Sequence, residues 1–350
     1  MVIGGVRLDD GRIIVVADDE VRWFGPGGTY LQTLPARGEG PGEFRYISQV
    51  SHAGQNILIF GDPEYRKTAT FSPGGKLLHS ELLDFDKYRK LGRWMECQTA
   101  ALPDGSRIDC LDDGSIPVTQ LNRQPANGDP GPGLLWQRYR FYVAPAALDT
   151  KYALGVASEI EQFGYPSPRG TRFVIHPFYS KGKLAFGGDS LRIAIAENPA
   201  YDIQIWTPDG KLERIIRRER GRRSATEAER KDAIAAMGNW MRQMGDSSDP
   251  AALVAKMPVP DSLPAVEGLS FDPDGDLYVR RDYGLPSQTT THFDVFAPTG
   301  VWLGTLTLPA RTRILDAGND ALLVVHLDND DVQHVEAYRV HKSAATPVAN

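Results

Sequence analysis

The sequence is poor in features that would assign it a chemistry. It contains no run of about 18 apolar residues, so we expect no transmembrane helix. Neither G-x-S-x-G, nor H-E-x-x-H, nor a phosphate-binding loop is present, so no standard nucleophile or metal motif stands out. The net charge of −6 argues against nucleic acid as the main partner, because a phosphate backbone attracts basic surfaces.

Cysteine is also scarce, with two residues in 350. Cys97 and Cys110 flank a hairpin predicted around Asp104-Gly105. Counting outward from that turn places them on adjacent strands, nearly opposite each other. Either they form a disulfide, as would suit an exported protein, or they are two buried free thiols.

Turn-forming residues, in contrast, are abundant: 35 glycines and 25 prolines. Four hexapeptides share one pattern, an aromatic residue two positions before Pro-x-Gly: W-F-G-P-G-G, T-F-S-P-G-G, I-W-T-P-D-G and V-F-A-P-T-G. Proline presets φ at the second position of a turn, and the final glycine permits positive φ. Each copy therefore predicts a hairpin between two strands.

These hairpins recur within units of about four short strands, and repeats of this kind predict a β-propeller. We count six units and predict an all-β, six-bladed β-propeller over residues 1–342, followed by a disordered tail at 343–350. The predicted blades are 5–34, 46–83, 98–160, 172–216, 266–308 and 312–340.

The first two units are joined by R-G-E-G-P-G-E-F, residues 37–44. This joint, with the repeated strand–D-P-x-G–strand units, resembles the six-bladed propellers of the NHL-repeat type, and more narrowly a bacterial group of six-bladed propellers of unknown function. The resemblance covers nearly the whole chain. It implies export to the periplasm or beyond, although no signal peptide is visible in this chain.

The ends of the predicted ring raise a question. The last unit shows three strands, and no strand is predicted before residue 5. Either a closing strand is missing, or this chain is a shortened form of a longer exported precursor. We favour the second interpretation, which leaves the last blade with an unpaired edge.

Two insertions interrupt the repeat. Residues 119–136 are rich in Asn, Pro and Gly and predict a mobile loop. Residues 224–257 predict a helical insertion between blades four and five, with a capping box at Ser224-Ala225-Thr226-Glu227 and a short second helix after Asp249-Pro250. The first helix carries a Met-rich apolar face. It either acts as a lid or contact surface, or packs on the propeller rim.

A basic stretch, Arg214–Arg223, precedes the helical insertion. It is interleaved with acidic residues, and we interpret it as an outermost strand leading into a solvated loop rather than an anion-binding patch.

Related propellers hold a metal ion in the central channel, so we looked for residues that could bind one here. For zinc the candidates are His52, His176 and His326. For calcium, Glu267 could face the channel, whereas Asp272–Asp276 is better explained as a hairpin turn. The metal set we select is His52, His176 and Glu267.

A last candidate is Arg280-Arg281, which follows a predicted strand. Alternation places the two side chains on opposite faces, so one could project toward the cleft between blades and bind a carboxylate. The alternative is a salt bridge to a neighbouring acid such as Asp282. We therefore predict a monomeric, non-catalytic, cofactor-free propeller that binds a protein or small-molecule ligand. The alternative is a hydrolase or lyase dependent on Ca or Zn at the channel.

Overall fold

The propeller begins with two blades of identical topology. A computed structural model describes residues 1–18, 20–35, 37–61, 67–94, 99–112, 133–135, 138–158, 162–167, 170–175, 177–179, 181–197, 200–219, 223–246, 248–257 and 259–342. The first blade is an antiparallel sheet of β1 (Val2–Arg7), β2 (Ile13–Ala17), β3 (Glu20–Phe24) and β4 (Tyr30–Pro35). The second consists of β5 (Ile47–Ala53), β6 (Asn56–Gly61), β7 (Lys67–Phe71) and β8 (Leu77–Leu82).

The third blade is interrupted by a separate sheet. The chain continues through α1 (Phe85–Leu91), β9 (Arg93–Trp94), β10 (Ala100–Ala101), β11 (Arg107–Asp112), β12 (Gly133–Leu135), β13 (Arg138–Ala144), β14 (Tyr152–Ser158), β15 (Gln162–Ser167) and β16 (Gly170–Ile175). Strands β10, β11, β13 and β14 form the blade, with β9 beside β11, whereas β12, β15 and β16 form the additional sheet.

The last three blades complete the ring. Blade four contains β17 (Lys183–Gly187), β18 (Arg192–Ala196), β19 (Asp202–Trp206) and β20 (Leu212–Arg217), and is followed by α2 (Glu227–Gln243) and α3 (Pro250–Val254). Blade five contains β21 (Gly268–Phe271), β22 (Leu277–Arg280), β23 (Thr290–Phe296) and β24 (Trp302–Pro309). Blade six contains β25 (Thr312–Ala317), β26 (Ala321–Leu327) and β27 (Gln333–Arg339). The predicted six-bladed propeller with a helical insertion between blades four and five is confirmed.

The four repeated hexapeptides form the hairpin between the third and fourth strands of their blades. Their final residues, Gly28, Gly75, Gly210 and Gly300, have φ values of 81°, 84°, 82° and 84°. The amide of each bonds to the carbonyl three residues earlier, and the pairing register shifts by one residue beside the aromatic position. A residue with a Cβ atom would be strained at these φ values, which explains why glycine ends every copy.

The joint between the first two blades is anchored by Phe44. Its side chain is fully buried in a cluster with residues of both blades, including Trp23 and Ile57. The ammonium of Lys67 lies over the ring, 5.6 Å from its centroid, and donates to the carbonyl of Gly40 at 2.5 Å. Phe44 is therefore wedged between the first two blades.

Blade four begins later than predicted. The segment expected to open it near residue 172 is β16, which pairs with β15 in the additional sheet, and the innermost strand of blade four starts at Lys183. Part of the predicted loop at 119–136 also joins this sheet, because β12 pairs with β15. The rest of that loop lies outside the described residues. Periodicity alone cannot separate β16 from a blade strand, since both alternate with period two.

The first helix of the insertion starts two residues later than predicted. Thr226, not Ser224, is the N-cap: its hydroxyl accepts from the Glu229 amide, and the Glu229 carboxylate accepts from the Thr226 amide. Asp249 caps α3 as expected, but this helix ends at Val254. Another departure from prediction is α1, whose N-cap Asp84 accepts from the amides of the first turn. No helix in the described ranges is long and apolar enough to cross a membrane.

The ring closes between blades six and one through side-chain bonds to backbone. Arg313 donates to the carbonyls of Val2 and Ile3, at 3.0 and 3.1 Å, and the Gln333 side chain accepts from the Val2 amide at 2.6 Å. In the described part of the chain blade six has three strands, so the outer edge of β27 has no partner strand there.

Cys110 is disulfide-bonded. The only other cysteine in the sequence is Cys97, which lies outside the described residues. This finding corrects the alternative of two free thiols.

Lys342 connects the end of the described chain to blade five. Its ammonium lies 2.8 Å from carboxylate oxygens of Asp272 and Asp274 and 3.0 Å from one of Asp276. All three acids belong to the β21–β22 turn, and the Asp272 side chain is fully buried. Burial raises the pKa of Asp272, while its hydrogen bond to Lys342 acts in the opposite direction.

Replacing Lys342 with methionine is expected to lower the free energy of unfolding by about 2 kcal/mol, because it leaves buried carboxylates without their cation. Urea unfolding at neutral pH would measure the change. The matched control is Lys211→Met on an exposed turn of blade four, for which we expect less than about 0.5 kcal/mol. Equal effects of the two substitutions would show that the Asp cluster does not depend on Lys342.

Candidate functional site

The six innermost strands run in the same direction and define two mouths of the central channel. Residues near the starts of β25 and β1 meet through Arg313 and the carbonyls of Val2 and Ile3. Residues at their ends meet through the amide of Arg7 and the Asp316 carboxylate, 2.8 Å apart. We call the end formed by the strand starts the upper mouth, and the opposite end the lower mouth.

Buried charges gather at the upper mouth. Glu267 precedes β21, Lys183 opens β17, and their charged groups are 3.1 Å apart. Both side chains are largely buried, with 9% and 16% of their surface exposed. Burial raises the pKa of Glu267, and the nearby cations of Lys183 and Arg280 oppose that rise. These residues, with Tyr179, Arg280 and Arg313, constitute what we call the axial cluster.

Arg280 reaches the axial cluster from the second strand of blade five. It pairs with Gly268 on β21, and its Nε atom lies on the side of that glycine where an added Cβ atom would be in van der Waals contact with it, at 3.5 Å. One terminal nitrogen donates to the Glu267 carbonyl at 3.1 Å. The Nε atom is buried and has no hydrogen-bond partner among the described residues. Burial lowers the pKa of this guanidinium, although Glu267 and Asp282 partly offset the effect.

Arg313 brings a second guanidinium to the same mouth. It lies near the start of β25, and its two terminal nitrogens are bound to carbonyl oxygens rather than carboxylates. Burial lowers the pKa of Arg313, and the positive charge of Arg280 lowers it further. The two arginines are therefore close enough to repel each other in a poorly solvated region.

The axial cluster has an excess of positive charge. Lys183 and Glu267 neutralise each other, which leaves the guanidinium groups of Arg280 and Arg313. Within the described ranges, no carboxylate lies within ion-pair distance of either arginine. A buried cation without a counter-ion is costly, and planar guanidinium groups bind carboxylates through paired hydrogen bonds. The arrangement suits a small anion.

An aromatic group adjoins these charges. Tyr283 packs edge-to-face on Phe178 and on Tyr179, with ring centroids 5.8 and 6.3 Å apart. Burial raises the pKa of Tyr179, and the Glu267 charge raises it further while Arg280 lowers it. Tyr179 therefore lies within electrostatic reach of the axial cluster and also contacts the aromatic group.

The additional sheet and the helices form a cap beside the upper mouth. The cap, defined as β12, β15, β16, α2 and α3, has its own apolar core, which includes Tyr165, Val174, Met237 and Met241. A second cluster joins α2 to the upper mouth, because Ala233 and Leu285 pack with Phe178. The Met-rich face of α2 is thus packed within the cap rather than directly on the blades.

Glu229 of α2 connects the cap to blade five. Its carboxylate pairs with Arg223 and accepts from Gln288 at 2.9 Å, in the loop that follows β22. The same loop is held by Asp232, which accepts from the Ser287 amide at 2.7 Å. The Arg223 bond is the main reason that the pKa of Glu229 falls to about 2.

The predicted metal ligands do not come together. His52 lies at the end of β5, where its Nε2 atom is 2.9 Å from Asp316 at the lower mouth. Glu267 belongs to the upper mouth, so about 15–20 Å of strand separates them. His176 lies outside the described residues. In the ranges that the structure describes, no three His, Cys, Asp or Glu side chains are grouped to hold a metal ion.

The other metal candidates have structural partners. His326 stacks on His334, with ring centroids 5.1 Å apart, and its Nδ1 lies 3.7 Å from Glu336. The Asp272–Asp276 segment forms the β21–β22 turn, with the Gly275 amide bonded to the Asp272 carbonyl at 3.0 Å.

The two consecutive arginines have different environments. Arg281 points into blade five, 3.6 Å from the fully buried carboxylate of Asp294, which also pairs with Arg218 at 2.7 Å. Asp282, the acid expected to neutralise one arginine, instead binds His292 at 2.9 Å. Of the predicted pair, only Arg280 belongs to the axial cluster.

Lys183, Arg313 and Tyr179 were not selected from the sequence. Lys183 and Arg313 occupy the first two positions of innermost strands, where the repeat otherwise places apolar or small residues. An alignment of these positions across the six blades would have identified Lys183 and Arg313 as charged exceptions. Tyr179 lies in the connection before β17, which follows no repeat pattern.

Comparisons with known proteins assign this chain neither a family nor a function. No family model matches the chain, and no curated protein matches it. Solved structures do. A member of the DUF4221 family from Bacteroides vulgatus is 8% identical, with a TM-score of 0.47 and coverage of 97% of this chain and 99% of that one.

Two further matches are a calcium-binding protein and a lyase. The calcium-binding protein regucalcin from Agrobacterium tumefaciens is 13% identical, with a TM-score of 0.37 and coverage of 94% and 84%. Virginiamycin B lyase from Staphylococcus aureus is 11% identical, with a TM-score of 0.34 and coverage of 98% and 85%. Similarities of this size do not transfer a function.

Proposed function

We propose that this protein is a non-catalytic binding propeller whose ligand is a small organic carboxylate held at the upper mouth. The supporting observation is the pair of buried guanidinium groups of Arg280 and Arg313, which lack a carboxylate partner in the described part of the chain. The ligand carboxylate compensates their charge. Lys183 and Glu267 stay paired and fix the inner rim of the site.

The proposal includes export from the cytoplasm and an NHL-type relationship. The disulfide of Cys110 supports export, because such bonds persist in oxidising compartments. The joint at residues 37–44 supports the relationship, since its buried Phe44 joins the first two blades.

Anion binding can be tested by calorimetric titration and thermal unfolding of the full chain. Sodium acetate, succinate, phosphate and chloride would be compared at constant ionic strength. We expect saturable binding and an increase in Tm with the carboxylates, and an affinity loss of about tenfold or more in Arg313→Met.

The matched control is Arg217→Met on the outer strand β20, where Arg217 pairs with Asp202 at the surface. This variant is expected to bind carboxylates like the unmodified protein. Equal binding by Arg313→Met and the control would refute the proposed site, as would an absence of saturable binding to every carboxylate.

The alternative, a hydrolase or lyase dependent on Ca or Zn, predicts that the purified protein contains a bound metal ion. Metal analysis of protein purified without chelators distinguishes the two functions. One tightly held calcium or zinc ion per chain would favour the metal enzyme.

A further inference from the structure

The upper mouth combines its charges with an accessible aromatic surface. Tyr179 and Tyr283 are both half-buried, so each residue keeps part of its surface accessible. Phe178, in contrast, is buried beneath them with Leu285 and Ala233. The base of the aromatic group is thus fixed by packing, while its two tyrosines are partly exposed.

The chain geometry places this surface beside the arginines. Tyr283 is three residues after Arg280 and contacts Tyr179, which is itself coupled electrostatically to Arg280 and Glu267. A substituent on a carboxylate bound to Arg280 can therefore extend toward the tyrosines. An apolar substituent there would be shielded from water on one side.

We infer that the ligand of the upper mouth is an aryl carboxylate, with its acid group on Arg280 and Arg313 and its ring against Tyr179 and Tyr283. This inference rests on the proposed function and specifies its ligand class. Aromatic rings favour offset or edge-to-face contacts with other rings, and such contacts add to the effect of area burial alone. The observed edge-to-face geometry of the two tyrosines offers this type of contact to a third ring.

The distribution of charge in the site also favours an aryl carboxylate. The site has a cationic end formed by the arginines and an uncharged end formed by the tyrosines, so it matches a ligand with one charged and one apolar end. A phosphate or a short dicarboxylate would fill only the cationic end. The tyrosines thus determine specificity, whereas the arginines supply most of the affinity.

The test compares phenylacetate with cyclohexylacetate, which has the same acid group and a saturated ring, and with acetate. Calorimetric titration of the full chain is expected to show phenylacetate binding about threefold to tenfold more tightly than cyclohexylacetate. Tyr179→Leu should bring that ratio close to one. Tyr179→Phe, which keeps the ring, should preserve it.

The control is Tyr30→Leu, because Tyr30 is exposed on the outer strand of blade one and its loss should leave the ratio unchanged. Far-UV circular dichroism would verify that each variant is folded. If phenylacetate and cyclohexylacetate bind equally while Arg280→Met weakens both, the aromatic inference fails and the proposed function stands. If no carboxylate binds at all, both fail.

Discussion

Arg280→Met is expected to weaken carboxylate binding about a hundredfold without lowering the stability of the unliganded protein. A paired hydrogen bond between a guanidinium and a carboxylate contributes roughly 2–3 kcal/mol, which corresponds to this loss of affinity. For most buried arginines the same substitution would mainly lower the free energy of unfolding, because it leaves a partner carboxylate unpaired.

The stability expectation follows from the surroundings of Arg280. Its Nε atom has no hydrogen-bond partner among the described residues, and Arg313 repels it, which offsets the loss of its bond to the Glu267 carbonyl. Glu267 keeps Lys183 as its partner after the substitution. Methionine fills a similar volume without a charge, so the free energy of unfolding should stay constant or rise by about 1 kcal/mol.

The neighbouring Arg281→Met variant provides a matched comparison. Arg281 lies near the fully buried Asp294, and losing it should lower the free energy of unfolding by about 1–2 kcal/mol while carboxylate affinity is retained. Urea unfolding and calorimetry on both variants measure the two quantities. A destabilised Arg280→Met variant with normal affinity would assign Arg280 a structural role instead.

Glu229→Gln is expected to lower the free energy of unfolding at neutral pH by about 3 kcal/mol. The Glu229 carboxylate is buried, pairs with Arg223, caps α2 through Thr226 and accepts from Gln288. An amide keeps the shape, but it loses the charge-assisted bonds and offers a donor where acceptors are needed. Since Gln288 lies in the loop after β22, we expect protease sensitivity to increase in that loop and in α2.

The stabilisation by Glu229 should decrease as the pH falls. The pKa of Glu229 falls to about 2 in the folded protein from 4.5, so its contribution is present above pH 4.5 and is lost as the pH falls towards 2. A shift of that size corresponds to about 3 kcal/mol. The Gln variant should lack this part of the acid dependence.

Glu227→Gln is the control, because Glu227 is exposed in the same first turn of α2. We expect it to change the free energy of unfolding by less than about 0.5 kcal/mol. If the curves of stability against pH for Glu229→Gln and the unmodified protein ran parallel between pH 5 and 3, the assignment of the low pKa to Glu229 would be wrong.

The blades could be predicted because their determinants are local. Each hexapeptide carries its own turn chemistry, and the glycines that end the four copies have the positive φ that the pattern requires. The N-cap of α2 was misplaced, because Ser224 and Thr226 are both good caps and each is followed three residues later by a glutamate, so the sequence does not distinguish them. Local patterns thus gave the elements, with errors of a few residues at their ends.

The site could be predicted only in part. Arg280 and Glu267 were selected, because charged residues next to short apolar strands are conspicuous. Their relationship to Lys183 and Arg313 was not, since these four residues come from three blades and are separated by up to 130 positions in the chain. The selection of His52 beside Glu267 shows the same limit, because sequence position does not reveal which mouth a residue faces.

The number of blades, the hairpin turns and the helical insertion could be predicted from the chain order, because they depend on contacts between residues near each other in the chain. The folded ring was needed to show that one mouth contains Lys183, Glu267, Arg280 and Arg313, and that the cap packs beside it. Closure of the ring fixes which strand ends meet, so the residues around a buried charge are distant from it in the chain and no local pattern contains them.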